Sequence, residues 1–289
     1  MKTETYNLTF LTPCFCAGAD QTKAEIRPSA IRGQLRWWFR CLGGSLDEER
    51  EIFGGVANND EKTKSSAIVI RISEIKPSTD GWKLPRVDPN EPSSYVWYFA
   101  SVSGKSPGKK GTGPRWTTEG AIAPETQCKL TVLYRRDVSP EFHKALKSFL
   151  ALGSIGLRAT RGLGAFNCAE QPFDDEIRRI LKDAGFQVVK RDSSHNTLTD
   201  VVKEIGSLVK GSRKELRMKS TSSSPFGSSD PRQTSAIWFR PIKDVNGFKL
   251  VVFEAPQKRV LEKESRKELD LSKLRHAQAD SGRRTYRRD

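Results

Sequence analysis

Short amphipathic segments, separated by glycine-rich and proline-rich stretches, limit what this chain of 289 residues can fold into. In the first segment Tyr6, Leu8 and Phe10 alternate with polar residues, and this period predicts a half-buried strand rather than a secretory signal. Between 29 and 42 the apolar residues recur every three or four positions, which predicts a helix. No apolar run reaches the length that a membrane-spanning helix needs. Segments of both kinds predict an α+β chain.

The order of these segments suggests two structural units and a tail. We predict further helices at 47–53, 140–152, 174–184 and 198–209. Further strands are predicted at 67–75, 95–102, 126–134, 236–242 and 248–254, and a short one after the glycine-rich loop that ends near 166. The order permits tandem split βαβ, or ferredoxin-like, domains. We therefore place one domain at 1–170, a second at 171–256 and a charged tail at 257–289.

The charge balance indicates an anionic partner. The chain has 50 Lys and Arg against 35 Asp and Glu, which gives a net charge of +15. Such a surplus favours nucleic acid first and an anionic membrane surface second. The 5 cysteines are odd in number and scattered, so they predict neither a disulfide framework nor a zinc site. We expect no metal, no other cofactor and a cytoplasmic location.

The helix predicted at 29–42 carries a ridge of arginines. Arg32, Arg36 and Arg40 follow one another at four-residue spacing, beside the apolar face. Three guanidinium groups without an interleaved acid repel one another, and a phosphate backbone would neutralise them. A solvated face, or pairing with acids elsewhere in the fold, is the alternative. Trp37 lies off both faces, where it would stack on a base or pack on the next helix.

Two loops combine glycine with basic residues. The segment 156–164, GLRATRGLG, fits neither a phosphate-binding GxxxxGK[ST] loop nor a dinucleotide-binding fingerprint. Its glycines would let the backbone approach a ligand and offer N–H groups to an anion, although a plain turn would need no function. The second loop, 104–116, also has an aromatic residue, and basic and aromatic residues together are typical of proteins that bind single-stranded nucleic acid. The alternative is a solvated loop without a binding role. Its candidate binding residues are Lys105, Lys109, Lys110 and Arg115.

Catalytic signals are weak in this sequence. The chain has 3 histidines, and no local spacing joins one of them to a nucleophile and an acid. His143, on the polar side of the helix at 140–152, is the one sensible candidate for a general base, and an exposed histidine without a role is the alternative.

Three strings of residues resemble the RAMP superfamily of CRISPR effector subunits, and among these the first subunits of type III-B (Cmr) complexes. They are TPCFCAGADQ with AEIRPSAIRGQLRWWFR, GLRATRGLGAF, and PFGSSDPRQTSAIWFRPI. The resemblance implies two tandem ferredoxin-like (RRM-like) domains with loop insertions, and a glycine-rich loop on the RNA-facing side. It implies other Cmr-type RAMP subunits, guide RNA and target RNA as partners, and it assigns target cleavage to a different subunit.

The resemblance carries an RNA-binding role over to residues on the helix, on the glycine-rich loop and in the serine-rich region near 230. They are Arg27, Arg32, Arg36, Arg40, Arg158, Arg161, Gly162, Gly164 and Arg232. Asp20 and Gln21 match the motif without an assigned role.

Three hypotheses follow from these observations. The first is a non-catalytic subunit that grips the 3′ region of a guide RNA, its target or both. The second is a metal-independent RAMP endoribonuclease that processes guide precursors, with His143 as its base. The third is a basic scaffold that docks on proteins and merely tolerates RNA.

Overall fold

A computed structural model describes residues 2–20, 22–55, 63–85, 88, 90–97, 120–215, 224–229, 232–244, 247–261 and 269–275. The strands are β1 Lys2–Phe10, β2 Ile68–Lys76, β3 Gln127–Tyr134, β4 Phe166–Cys168, β5 Gln187–His195, β6 Ser228–Ser229, β7 Arg232–Gln233, β8 Ile237–Asp244 and β9 Gly247–Glu254. The helices are α1 Pro28–Cys41, α2 Leu46–Phe53, α3 Ser94–Trp97, α4 Pro140–Leu152, α5 Asp175–Asp183, α6 Leu198–Glu215 and α7 Gln257–Val260, with a 3₁₀ turn at Leu271–Leu274. None of the described helices is long and apolar enough to cross a bilayer.

The first sheet has ferredoxin-like topology. Its four strands lie in the order β2-β3-β1-β4, and every neighbouring pair is antiparallel. Helix α1 connects β1 to β2 and α4 connects β3 to β4, so the chain follows the βαββαβ pattern. The α+β fold class is therefore confirmed.

The second sheet repeats the first part of that pattern. Strand β5, helix α6 and strands β8 and β9 form a βαββ unit with strand order β5-β9-β8. Strands β8 and β9 pair antiparallel, with Asp244 opposite Gly247. Arg240, which is 1% exposed, links the sheets because its guanidinium donates to the Phe166 carbonyl of β4. The predicted boundary at residue 170 lies in the turn between β4 and α5.

Two hydrophobic clusters support the sheets. The larger one includes Phe10, Trp38 and Phe142 from the first unit, and it extends across residue 170 to Val251 and Phe253 of β9. The smaller cluster packs α3, α6 and the Leu271–Leu274 turn on the second sheet. All five cysteines are buried free thiols. The tail predicted at 257–289 thus docks in part, through Leu271 and Leu274.

Two predicted elements differ from the structure. The aromatic stretch predicted as a strand at 95–102 begins instead as the helical turn α3, while 98–102 lies outside the described residues. Periodicity does not separate a strand from a buried helical turn in so short an apolar run, and here Val96 and Trp97 pack against α6. Strand β5 was not predicted, because only Val188 and Val189 interrupt a polar stretch of sequence.

Candidate nucleic-acid interface

A cleft of about 580 Å³ lies where the loop after α4 meets α1, α6 and β8. We call it the arginine cleft. Its wall combines basic, aromatic and small polar side chains. The lining residues are Gln34, Trp37, Tyr95, Gly156, Leu157, Arg158, Ala159, Thr160, Arg161, Arg213, Phe226, Gly227, Gln233, Thr234, Ser235 and Trp238. Not one Asp or Glu occurs in this set of described lining residues.

Three arginines surround Tyr95 in the cleft. The guanidinium carbons of Arg158, Arg213 and Arg161 lie 5.0, 5.4 and 5.9 Å from the centre of its ring. Burial alone would raise the pKa of the Tyr95 phenol, but the three positive charges and a hydrogen bond from Arg161 lower it below its usual value. The phenol therefore lies in a positively charged environment.

Arg161 forms the floor of the arginine cleft and is 4% exposed. Its guanidinium donates to the carbonyl oxygens of Phe226 at 2.9 Å and Ile237 at 3.3 Å, and to the Ser235 hydroxyl at 3.2 Å. Burial lowers the pKa of Arg161, because a charged group loses its hydration there. Arg161 thus anchors the glycine-rich loop to β8 and leaves a buried positive charge beneath the cleft.

Arg158 holds a backbone conformation that is uncommon outside glycine, with φ of +61°. Its side chain donates to the carbonyls of Tyr95 and, at 3.4 Å, Val96. Burial lowers the pKa of Arg158 as well. The loop and α3 are therefore joined through this arginine, which remains half-buried at the wall of the cleft.

The glycines of the loop contact the protein itself rather than an open face. A Cβ at Gly164 would lie 1.7 Å from the Ile155 carbonyl oxygen, and one at Gly162 would lie 2.6 Å from Ile205. The N–H of Gly164 donates to Pro13 at 2.9 Å, and the N–H of Gly162 donates to Ala159 at 3.2 Å. The prediction that these two N–H groups are open to an anion is wrong, because the fold already uses them. Guanidinium groups supply the positive charge here.

The arginine ridge of α1 meets an acid that the sequence analysis left unidentified. Glu49 of α2, whose side chain is 7% exposed, accepts from Arg40 at both carboxylate oxygens, with the Nη2 contact at 2.7 Å, and lies 3.6 Å from Arg36. Arg36 also donates to the Gly54 carbonyl at 2.8 Å. Pairing with an acid elsewhere in the fold, the stated alternative, thus accounts for these two arginines.

The remaining arginines of α1 have no such acid among the contacts of the described residues. Arg27 is exposed at the N-cap position of the helix. Arg32 is half-buried, and burial together with the charge of Arg36 lowers its pKa. Both stay available for an external anion.

Trp37 packs inside the molecule, on a strand rather than on the next helix. Its ring centre lies 4.7 Å from that of Trp238 in β8 and 5.1 Å from that of Trp38. Trp37 is nevertheless only half-buried and lines the arginine cleft. Packing and access to a ligand are therefore combined in this one residue.

Several predicted residues cannot be placed. The basic loop residues Lys105, Lys109, Lys110 and Arg115 lie outside the described residues, and so does Gln21. Arg232 belongs to β7, where its backbone pairs with Ser229, but its side chain is outside the description. Asp20 is exposed and accepts from the Thr22 N–H at 2.9 Å, which makes it a turn residue.

The described histidines lie away from the arginine cleft. His143 borders a smaller, mixed-charge depression with Lys147, Glu176 and Arg179. His195 bonds the buried Glu204 at 2.8 Å, and Glu204 also accepts from Arg191 at 2.7 Å. Within the described part of the chain, no three His, Cys, Asp or Glu residues are grouped so that they would hold a metal ion.

The outer face of the first sheet lacks a stacking platform. An RRM binds RNA through aromatic residues on its sheet. Here the exposed positions of the central strands are occupied by Thr3, Thr5 and Asn7 of β1 and by their cross-strand partners, which include Thr131. The arginine cleft, in contrast, combines aromatic and basic side chains in one cavity.

Three lining residues of the cleft were not predicted from the sequence: Arg213, Tyr95 and Gln34. Arg213 lies four residues beyond the predicted end of this helix at Val209, because α6 continues to Glu215. Tyr95 was assigned to a strand. Gln34 lies on α1, where only the arginines were predicted to bind RNA because of their charge.

Comparisons with known proteins agree on one family and one fold. A family model described as the RAMP superfamily matches residues 7–167. The chain is 24% identical over 212 residues to the CRISPR system Cmr subunit Cmr1-1 of Pyrococcus furiosus, an alignment that covers 60% of this chain and 54% of that protein. It is 34% identical over 62 residues to Cmr1-2 of the same organism, covering 18% of this chain and 33% of that one. The chain therefore spans about half the length, or less, of these curated relatives.

Two solved structures share the fold. The crystal structure of Cmr1 from Pyrococcus furiosus in its apo form has a TM-score of 0.57 at 16% identity, covering 93% of this chain and 92% of that one. A chain in the cryo-EM structure of the Type III-B Cmr-beta bound to cognate target RNA and AMPPnP has a TM-score of 0.51 at 14% identity, covering 94% and 97%. At such identities the likeness concerns the fold.

Proposed function

This chain belongs to the RAMP superfamily, and from that premise we propose that it is a non-catalytic RNA-binding subunit of a type III-B (Cmr) CRISPR ribonucleoprotein complex that acts in antiviral defence. It grips the 3′ region of the guide RNA, the target RNA or both. Its other partners are Cmr-type RAMP subunits. Guide–target base pairing, rather than this subunit, reads the sequence.

The observation that carries this proposal is the arginine cleft without an acid. Arg158, Arg161 and Arg213 crowd around one tyrosine, and the described lining residues of the cleft include no Asp or Glu. Like charges held together destabilise the fold unless an anion joins them. Phosphate suits a guanidinium particularly well, since the two form paired hydrogen bonds. An RNA backbone therefore completes this arrangement.

Further arginines extend the proposed surface. Arg27 and Arg32 lie on α1, the helix that also supplies Gln34 and Trp37 to the arginine cleft. Because they are positively charged, we include Arg232 and the basic residues of 104–116 in the proposed RNA-binding surface. Arg36 and Arg40 contribute less, because Glu49 already neutralises part of their charge.

A binding role without cleavage is supported by the chemistry of the lining. The described lining residues include no His, Asp, Glu or Lys, and Tyr95 is the lining residue whose side chain is of a proton-transfer type. RNA incubated with the purified chain in EDTA should stay intact. Cleavage that His143→Ala abolishes would replace this proposal with the endoribonuclease hypothesis.

The proposal is tested by reversing one charge in the cleft. Arg213→Glu should weaken single-stranded RNA binding at least about tenfold, because a charge-assisted contact contributes roughly 1.5–3 kcal/mol. Arg213 is suited to this change since its described contacts are to aromatic rings rather than to buried carbonyls. The measurement is fluorescence anisotropy at fixed salt.

Arg71→Glu is the matched control. Arg71 is an exposed arginine of β2, outside the cleft, and its reversal changes the net charge by the same amount. The proposal predicts a much smaller loss for this variant. Equal losses of RNA affinity in the two variants would mean that RNA binding depends only on the net charge, and the cleft would not be the binding site.

A further inference from the structure

We propose that the outer edge of β2 is an interaction surface that binds an extended segment of another protein as an antiparallel fifth strand of the first sheet. The segment carries apolar side chains on the core side of the sheet and acidic side chains on the solvent side. The inference deepens the proposed function and rests on it in one respect, since we take the segment to belong to a neighbouring subunit of the complex.

The first argument is the direction of the backbone groups of β2. The Ala67 carbonyl, one residue before the strand, accepts from the N–H of Arg135, just after β3, at 2.8 Å. Successive residues of an antiparallel strand turn their N–H and C=O groups to alternate sides, so Ile70 and Ile72 direct theirs away from β3. Within the described residues, no hydrogen bond joins the backbone of Val69–Lys76 to any element but β3. Ile70 and Ile72 thus each offer an N–H and a C=O to another strand.

The second argument is the incomplete burial of the same two residues. The side chains of Ile70 and Ile72 pack on the larger hydrophobic cluster but remain half-buried. Their cross-strand partners on β3, Val132 and Leu130, are both 0% exposed. The apolar row is therefore covered on β3 and open on β2. One more strand would complete it, provided that this strand has apolar residues at every second position.

A bulge at the end of β2 limits the pairing surface. The register shifts after Ser73, and Glu74 holds φ of +50°, which is uncommon outside glycine. Lys129 of β3 forms an ion pair with the Glu74 carboxylate. Bulges end strand pairing and redirect side chains. The open edge therefore ends at Ser73 and leaves Ile75, which is 50% exposed, as an apolar residue beside it.

The charge of the edge selects the occupant. Arg71 is exposed and has no acidic partner among the contacts of the described residues. Lys129 neutralises Glu74, so Arg71 and Lys76 leave the edge positive. A second copy of this chain would bring two positive edges together, and like charges on paired strands destabilise the pairing. RNA lacks the alternating N–H and C=O groups of a strand. A polypeptide with acidic residues on the solvent side satisfies the backbone, the apolar row and the charge.

Amide hydrogen exchange of the full-length chain tests whether the edge is open. The N–H groups of Ile70 and Ile72 should exchange at least about tenfold faster than those of Val69 and Arg71, which point to β3. Slow exchange at Ile70 and Ile72 in the free chain would show that the edge is already covered, by this chain or by a second copy. That result would overturn the inference.

The binding probe is a synthetic peptide of about six residues, the usual length of a strand, in which Val alternates with Glu. In antiparallel addition the N–H groups of its Val residues face β2. The peptide should slow exchange at Ile70 and Ile72. N-methylation of its Val residues should weaken binding about tenfold or more, since several hydrogen bonds are lost, whereas N-methylation of its Glu residues should change binding little. Equal binding of the three peptides would overturn the inference.

Arg71→Glu assigns the peptide to this edge. The reversed charge faces the acidic side of the peptide and should weaken binding about threefold or more, which is the scale of exposed charge pairs. Arg179→Glu is the matched control, because it reverses an exposed arginine on α5 and changes the net charge equally. It should weaken peptide binding much less. Equal losses of peptide affinity in the two variants would also overturn the inference.

Failure of this inference differs from failure of the proposed function. Arg213→Glu should weaken RNA binding and leave the peptide affinity unchanged, because Arg213 lies in the arginine cleft. If no peptide binds while Arg213→Glu still weakens RNA binding, only the inference fails. If RNA, rather than the peptide, slows exchange at Ile70 and Ile72, the edge belongs to the nucleic-acid surface and the inference is overturned.

Discussion

Glu49 determines how much of the α1 arginine ridge is available to an outside anion. Its buried carboxylate accepts from Arg40 and lies within ion-pair distance of Arg36. The hydrogen bond that Arg40 donates to Glu49 also raises the pKa of Arg40. Sequence spacing showed three unbalanced charges, but it could not show an acid that tertiary packing brings from α2. The ridge is therefore partly a structural element.

Removing that carboxylate should cost stability. We expect Glu49→Gln to lower the free energy of unfolding by about 1–3 kcal/mol, because buried charged hydrogen bonds are lost. Solvent screening keeps the loss below that of a fully buried pair, since the side chain of Arg40 is 53% exposed. Urea denaturation measures the change. Glu51→Gln, which breaks an exposed pair with Lys64, is the control and should give no measurable change.

At the scale of elements, periodic segments were predicted well and weakly periodic ones were not. Helix α1 spans Pro28–Cys41 against a predicted 29–42, and β9 spans Gly247–Glu254 against 248–254. Strand β5 was missed because its polar residues give no alternation. Helix α6 was predicted too short, and that error hid Arg213. A strong amphipathic pattern arises where one whole face of a segment packs in the core. Strand β5 and the end of α6 pack there only in part, so their patterns are weaker.

The glycine-rich loop was identified correctly as distinctive, but its glycines serve packing. We expect Gly164→Ala to lower the free energy of unfolding by more than about 2 kcal/mol, since φ is +65° and the new Cβ would meet a backbone oxygen. Gly33→Ala is the opposite case. It should raise stability by about 0.5–1 kcal/mol, because nothing lies within 4 Å of that Cβ in the middle of α1.

Denaturant midpoints of the two variants test this account of the loop. If Gly164→Ala is as stable as wild type, the loop is not held against the Ile155 carbonyl as described. Normal stability together with a loss of RNA binding would show instead that Gly164 faces the ligand.

For the whole molecule, composition predicted an anionic partner and the fold determines where that partner binds. The arginine cleft draws on α1, α3, α6, the glycine-rich loop and β8, which lie far apart in the sequence. No local spacing shows that Arg158, Arg161 and Arg213 meet at Tyr95. The charge surplus of +15 was visible in the sequence, whereas the gathering of three of those charges in a cleft whose described lining includes no Asp or Glu emerged only from packing.

The salt dependence of RNA affinity tests the central claim most directly. Each phosphate contact to single-stranded RNA adds about 0.7 to the slope of log affinity against log salt. We predict that Arg158→Gln/Arg213→Gln, compared with wild type after both are shown to be folded, reduces that slope by about 1.4. An unchanged slope and affinity in the double variant would contradict the claim that the arginine cleft binds the RNA backbone.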